Sequence, residues 1–245
     1  MPPSNGKGPG VSDEGVFTGE AAAYYDGWFE TPAGRYAREL EDELLTRAAG
    51  EGAGRLVLDV GCGTGMHLEL FGAGGGRGVG LEPSWDMLAR ARAKSRRPGV
   101  YFVQGRAEAL PFRAGTFDLV TLITSLEFVA DAGLALAEAG RVGRARVVVA
   151  ALNAWSLSAL VRRVRRNVRR TLFRAVRFYN PYELRRALRR YLAPPIGMAS
   201  TLHFFPLFGR SVAPASAALD RRLTRLGCLL GAFLVAAGDV KREEI

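Results

Sequence analysis

The chain is poor in the residues that carry metal and redox chemistry. Its 245 residues include only two cysteines, two histidines and four methionines. Cys62 and Cys228 offer neither a disulfide framework nor a metal-ligand spacing, so no metal site is expected and a reducing cytoplasm is the simplest setting. Lysine is scarce as well: of 34 basic residues only Lys7, Lys94 and Lys241 are not arginine, the mark of a GC-rich coding bias. Long apolar runs are absent. The longest, Leu226–Ala237, falls short of the ~20 residues that span a bilayer. Residues 1–15 lack an apolar pattern, a basic start and an apolar core, so they do not read as a signal peptide and a mobile tail is expected.

What remains is apolar enough to fold: 48% of the residues are hydrophobic, which predicts a single domain over residues 16–245. The net charge of +10 is unevenly placed. Residues 155–195 hold twelve arginines and one acid, Glu183, so the rest of the chain is close to neutral. Basic character belongs to that segment, which reads as a helical cap insertion. Within it Leu157, Leu160, Val161, Val164, Val168, Leu172, Ala175 and Val176 recur at helical spacing, with Arg162, Arg163, Arg165, Arg166, Arg169 and Arg170 between them. A basic amphipathic helix over 157–177 can lie on an anionic membrane surface, hold an acidic substrate or, less favoured, contact RNA.

Elsewhere strands and helices alternate. Tyr24–Gly50 reads as helix with a start at Thr31-Pro32. Strands follow at Leu56–Val60, Gly78–Glu82, Val100–Val103, Phe117–Thr124 and Arg146–Leu152, with helices at Gly65–Phe71, Ser84–Lys94 and Asp131–Gly140. Met198–Phe205 and Leu229–Ala237 read as late strands around a helix near Ala215–Leu226. Apolar strands separated by helices imply an α/β, Rossmann-like, doubly wound and mostly parallel sheet.

The turn after the first strand, Gly61-Cys62-Gly63-Thr64-Gly65, stands where such sheets bind ligands. Glu82, 21 residues after Gly61, ends the second strand where an acid can take two ribose hydroxyls. Two residues separate the candidate cofactors. A dinucleotide fingerprint would want Gly or Ala where Met66 stands, and Asp59 would set negative charge near a pyrophosphate. S-adenosylmethionine (SAM) instead carries an ammonium and a sulfonium, which a carboxylate favours.

Five ordered blocks carry a family resemblance: VLDVGCGTG (57–65), GVGLEPSWDMLARAR (78–92), VQGRAEALPFRAGTFDLV (103–120), SLEFVAD (125–131) and RVVVAALNAWS (146–156). Together they resemble the class I SAM-dependent methyltransferases, in the group similar to ubiquinone and menaquinone methyltransferases. The resemblance implies a seven-stranded sheet ending in an antiparallel hairpin, SAM as cofactor, and a small or lipophilic methyl acceptor. It places Asp59, Gly61, Cys62, Gly63 and Gly65 around the methionine moiety, Glu82 on the ribose, Pro83 to Met87 beside the adenine, and Ala107 and Glu108 at the adenine edge. One departure stands out: relatives carry Asp where this chain has Arg106, a side chain with donors only. A shortened turn in GRVGRARVVV is neutral.

Methyl transfer is in-line displacement, dominated by positioning, so no catalytic signature is demanded. By position the candidate bases are His203 first, then Glu127 and Tyr24, with Tyr25, Trp155 and Tyr179 lining the pocket; for each of them a supporting role outweighs proton transfer. His67 and Cys62 read as packing residues, and Asn180-Pro181 as a helix cap. Two alternatives stay open: an RNA or protein methyltransferase gripping its substrate with the arginine-rich cap, and a SAM-binding module without turnover. Localisation is expected in the cytoplasm, with or without peripheral membrane contact. The acceptor and the oligomeric state are not readable.

Overall fold

In the computed structural model the described residues are 19–52, 54–71, 75–165, 176–204 and 214–241. The expected tail at 1–15 and the middle of the arginine-rich segment, 166–175, lie outside them.

The chain opens with two helices where one was expected: α1 (Glu20–Phe29) and α2 (Pro32–Ala49). The break has a local cause. Thr31 accepts from the Gly34 amide at 3.0 Å as N-cap, and Pro32 cannot donate to the preceding turn. Gly34 completes the corner, since a Cβ there would collide with the Trp28 carbonyl.

Seven strands follow: β1 (Leu56–Val60), β2 (Arg77–Glu82), β3 (Val100–Gln104), β4 (Phe117–Ile123), β5 (Gly143–Leu152), β6 (Gly197–Thr201) and β7 (Phe233–Asp239). They form one sheet in the order β3-β2-β1-β4-β5-β7-β6. Neighbours from β3 to β5 pair in parallel, and β7 runs antiparallel between β5 and β6. This is the doubly wound sheet with a late antiparallel pair that the sequence implies. The central strands are covered on both faces, so neighbouring residues of one strand bury in opposite layers. Val57, Leu119, Val148 and Phe233 pack under Leu40, Leu44 and Leu45 of α2. Leu58, Val120, Val149 and Leu234 pack with α5 (Ala132–Val142) and α7 (Pro181–Leu188) through Leu136, Ala139, Leu184 and Leu188.

The remaining helices are α3 (Met66–Phe71), α4 (Trp85–Lys94), α6 (Leu157–Arg165) and α8 (Pro214–Arg225). Ser84 caps α4 by accepting from the Met87 amide and Asn180 caps α7, both as read from the sequence, and Glu183 completes a capping box with Asn180. Several boundaries move, three of them for a visible reason. The strand expected at 198–205 stops at Thr201, because Leu202 turns into the left-handed region at φ 64° and Asp220 takes the Leu202 and His203 amides. Residues 205 onward lie outside the described chain until α8. The strand expected from Leu229 begins at Phe233, since Asn153 ties down the carbonyls of Leu229 and Gly231 first. The helix expected over 157–177 is not continuous to its end: Val176 to Phe178 are non-helical, and Tyr179 pairs with Asn153.

Candidate active site

At the end of β1 the chain must turn sharply under the loop that follows β4. Gly61 adopts φ 75°, and a Cβ on it would collide with Cβ of Ser125. Only glycine meets both demands. The amides of Gly61 and Cys62 donate to the Leu81 carbonyl at 2.7 and 3.1 Å, which bends the turn toward the end of β2. There Glu82 is buried and braces it: Oε2 accepts from the Gly63 amide and Oε1 from the Ser84 amide, both at 3.0 Å. Burial raises the Glu82 pKa despite these two bonds. A carboxylate has roughly four acceptor positions, so the outer lone pairs stay available to hydroxyls.

Asp59 lies on β1 beside the turn and is 1% exposed. Its register partner on β4, Thr121, donates through Oγ1 to Oδ1 at 2.7 Å. Oδ2 is buried with no partner, and burial lifts the carboxyl to a pKa of about 7. Two more orphaned oxygens lie in the loop after β4: Ser125 Oγ, against the glycine turn, and Glu127 Oε2. Glu127 is 3% exposed; its Oε1 accepts from the Leu152 amide at 2.6 Å, and burial lifts its pKa to about 7 as well. Of the four such atoms among the described residues, these three are on the β1 and β4 ends, and the fourth, Tyr36 Oη, belongs to α2. Buried polar atoms without partners are rare in folded proteins, and their concentration here marks a place shaped for a polar ligand.

The helix α1 closes over the turn. Asp26 accepts from Thr64 Oγ1 at 2.7 Å and forms an ion pair with Lys94 of α4. Tyr25 reaches the Gly63 position with its ring, and its hydroxyl is held far above the ordinary range by burial, then by the carboxylates of Glu41, Asp59, Asp26 and Glu82. Tyr25 is therefore a donor and not a base. Tyr24 sits in α1, but its side chain lies outside the described residues.

On the β2–β3 side, Gln104 donates to the Pro83 carbonyl at 3.0 Å, and Met87 and Ala107 are buried. Glu108 accepts from the amides of Ala130 and Asp131 at 2.8 and 3.4 Å, and its other oxygen faces Arg106 Nε at 3.6 Å. The arginine that departs from the family pattern is thus paired with the neighbouring acid.

His203 is not brought to this place. It follows β6, four strand spacings from β1, or ~19 Å at the usual interstrand distance. Nδ1 meets Asp220 Oδ1 at 2.9 Å, and Nε2 lies 3.2 Å from the Cys228 carbonyl and 3.4 Å from Ser200 Oγ. The set resembles a Ser-His-Asp relay, yet Ser200 is 0% exposed and already bonded to the Cys228 carbonyl and the Gly231 amide. No substrate reaches that hydroxyl; the cluster locks β6 to α8 and to the start of β7. Burial alone would raise the Asp220 pKa, but the His203 bond and charge bring it below the ordinary value.

Sequence reasoning passed over Asp26, Thr121, Ser125 and Asn153. An acid amid the apolar residues of AAAYYDGWF was a signal for Asp26, whereas Thr121 becomes meaningful only through the β1–β4 register. Asn153 is fully buried and bonds the Leu229 and Gly231 carbonyls through Nδ2 at 2.8 Å each.

Residues 58–151 match a family model described as a methyltransferase domain. A demethylmenaquinone methyltransferase of Renibacterium salmoninarum is 41% identical over 99 residues, covering 40% of this chain and 41% of that protein. A ubiquinone biosynthesis O-methyltransferase of Methylococcus capsulatus is 37% identical over 95 residues, covering 38% and 40%. The chain thus spans about two fifths of the length of these curated relatives. Among solved structures, a SAM-dependent methyltransferase from Thermotoga maritima superimposes with a TM-score of 0.68 at 24% identity, covering 91% of this chain and 97% of that one. The geranyl diphosphate C-methyltransferase of Streptomyces coelicolor, solved with geranyl-S-thiolodiphosphate and S-adenosyl-L-homocysteine, gives 0.57 at 18% identity, covering 81% and 74%. At these identities the superpositions establish the fold.

Proposed function

We propose, from the match of residues 58–151 to a methyltransferase-domain model and the likeness of the fold to that of a SAM-dependent methyltransferase, that the protein transfers a methyl group from SAM to a small, lipophilic acceptor. The observation that carries this reading is Asp59 Oδ2, a buried carboxylate oxygen without a partner beside a glycine turn. It fits a cationic cofactor and disfavours a dinucleotide pyrophosphate.

The residues present fit SAM, Arg106 apart. Asp59 would hold its positive charge, Glu82 the ribose hydroxyls, and Gly61, Cys62, Gly63 and Gly65 would let the backbone lie against the methionine moiety. Pro83, Met87, Ala107 and Glu108 would border the adenine. When bound, SAM supplies an electrophilic methyl on a cationic sulfur that leaves as a neutral thioether. The chain's own work is to orient and to keep water out. Helix α1 is latched across the turn by Asp26, Thr64 and Lys94, which positions Tyr25 over the site. Glu127, with a carboxyl near pH 7 and a free Oε2, is suited to take a proton from an acceptor hydroxyl or acidic carbon.

The acceptor class rests on the relatives, whose names assign them quinone-type substrates. Calorimetric titration of the protein with SAM and with NAD, followed by a screen of lipophilic phenols and quinols for release of S-adenosylhomocysteine, tests both parts. Binding of SAM alone and turnover on such an acceptor are expected. Preference for NAD would overturn the cofactor, and SAM binding without turnover on any acceptor class would leave a binding module instead of an enzyme.

A further inference from the structure

The carboxyl end of the sheet carries an unusual surface. Trp155, Leu157 and Leu160, at the start of the cap, are each more than half exposed, and so are Leu226 and Leu230. Topology puts them at one end. The first three follow the end of β5. Leu226 and Leu230 lie in the connection from α8 to β7, whose first residue, Phe233, pairs with Leu152 at that same end of β5. Phe204, also exposed, follows the end of β6, which runs in the direction of β5. Isolated exposed leucines need no explanation, but several large apolar side chains at one end of a sheet do. The helix α6 that leaves this end and the stretch that returns to it hold Arg162, Arg163, Arg165 and Arg177, and residues 155–165 and 176–179 contain no acid.

We propose that this end of the molecule docks on the surface of a lipid bilayer containing anionic phospholipid, with the exposed apolar side chains in the headgroup layer and the arginines on the phosphates. The charge complementarity argues for an anionic surface, and the apolar side chains argue for lipid over RNA. Phosphates of a nucleic acid would satisfy the arginines while leaving Trp155, Leu157, Leu160, Leu226 and Leu230 in water. Among the described residues no helix is long and apolar enough to cross a membrane, so the contact is one of lying on the surface. Asp59, the glycine turn and Glu127 stand at the carboxyl ends of β1 and β4, at this same end of the sheet. Docking therefore turns the proposed methyl-transfer site toward the phase in which a lipophilic acceptor dissolves. The docking itself needs neither SAM nor an acceptor, so it stands or falls apart from the proposed reaction.

The test is co-sedimentation of the full chain with vesicles of phosphatidylcholine, with and without phosphatidylglycerol, at low and high salt and without SAM. Binding that requires phosphatidylglycerol and weakens with salt is expected. Arg162→Glu with Arg165→Glu should reduce it by at least about fivefold per position, whereas Arg96→Glu with Arg113→Glu, an equal change of net charge elsewhere, should leave it nearly unchanged. Leu157→Ser with Leu160→Ser keeps every charge and should lower binding several-fold. Equal binding to pure phosphatidylcholine, equal losses in the two charge variants, or RNA that strips the protein from the vesicles would each overturn the proposal. Unfolding temperatures of all variants, compared with the parent, identify any loss that comes from misfolding, and the remaining pair of substitutions then decides.

Discussion

Replacing Asp59 with Asn should change how SAM binding depends on pH, and not merely weaken it. The carboxyl has a pKa of about 7 in the free protein because burial penalises its charge. A cation ~4 Å from it, at an effective dielectric near 20, would gain about 4 kcal/mol, enough to lower that pKa by ~3 units in the complex. Ionising the acid at pH 7 costs only ~0.4 kcal/mol of this. Affinity for SAM should therefore fall about tenfold for each unit of acidification below 7, and level off or decline above pH ~8 as the amino group of SAM loses its proton. Asn keeps the shape and can still accept from Thr121, but it carries no charge. The variant should bind SAM about 10²–10³-fold more weakly at pH 8, with the gap narrowing toward pH 5. Glu82 and Tyr25 are unchanged in both proteins, so the difference between the two titrations isolates Asp59. The unliganded variant should also be the more stable protein at pH 8. The folded parent holds the Asp59 proton up to about pH 7, while the unfolded chain releases it near pH 3.9. Across that window the folded state binds more protons, so the parent loses stability as pH rises, on the order of 4 kcal/mol at most. Calorimetric titrations from pH 5 to pH 8 and thermal melts at both ends measure each effect. Parallel pH profiles for parent and variant would refute the reasoning.

Glu127→Gln should leave SAM affinity unchanged and cut turnover by roughly 10²–10⁴-fold on an acceptor that must lose a proton. In the parent, kcat/KM should rise with pH through about 7 as the acid ionises, a limb the variant lacks; initial rates across pH check both. Gly61→Ala should destabilise the fold and abolish SAM binding, because the new Cβ meets Ser125 and φ is 75°. Adding Ser125→Gly should relieve the collision but leave about 1–2 kcal/mol of backbone strain, readable in urea melts. His203→Ala should cost about 1–3 kcal/mol by removing the ring that bonds buried Asp220, which keeps the Leu202 and residue-203 amides, with kcat unchanged at temperatures where the protein stays folded. A selective loss of kcat would instead make His203 part of the reaction.

The fold was legible because its signals are local. Five apolar runs, the glycine turn after β1, Ser84 and Asn180 each declare their structure within a few residues. The boundaries that moved depend on distant partners: Leu202 turns because Asp220 waits 18 residues later, and β7 starts late because Asn153 holds Leu229 and Gly231. The site divides the same way. Asp59 and Glu82 stand at readable offsets from the turn. The orphaned oxygens, the pairing of Asp59 with Thr121 and the latch of Asp26 on Thr64 arise from register and packing, which no short window contains. His203 heads the candidate bases because a lone histidine late in the chain advertises chemistry, yet the supporting role favoured for it agrees with its three neighbours, which use the ring as a strut.

The pairing of Asn153 with Tyr179 has a consequence for how such a protein can diversify. The backbone leaves the end of β5 at Asn153 and returns beside it, with the Ala154 amide on the Tyr179 carbonyl and the Tyr179 amide on the Leu152 carbonyl, both at 3.0 Å. The two ends of the stretch between Asn153 and Tyr179, which holds the first eight arginines of that segment, are thus fastened to each other by the sheet. Exchanging the intervening cassette for one of another length would alter closure entropy by only ~0.6 kcal/mol per doubling. The proposed membrane contact could then be rewritten by recombination at two adjacent points, without disturbing Asp59, the glycine turn or Glu82.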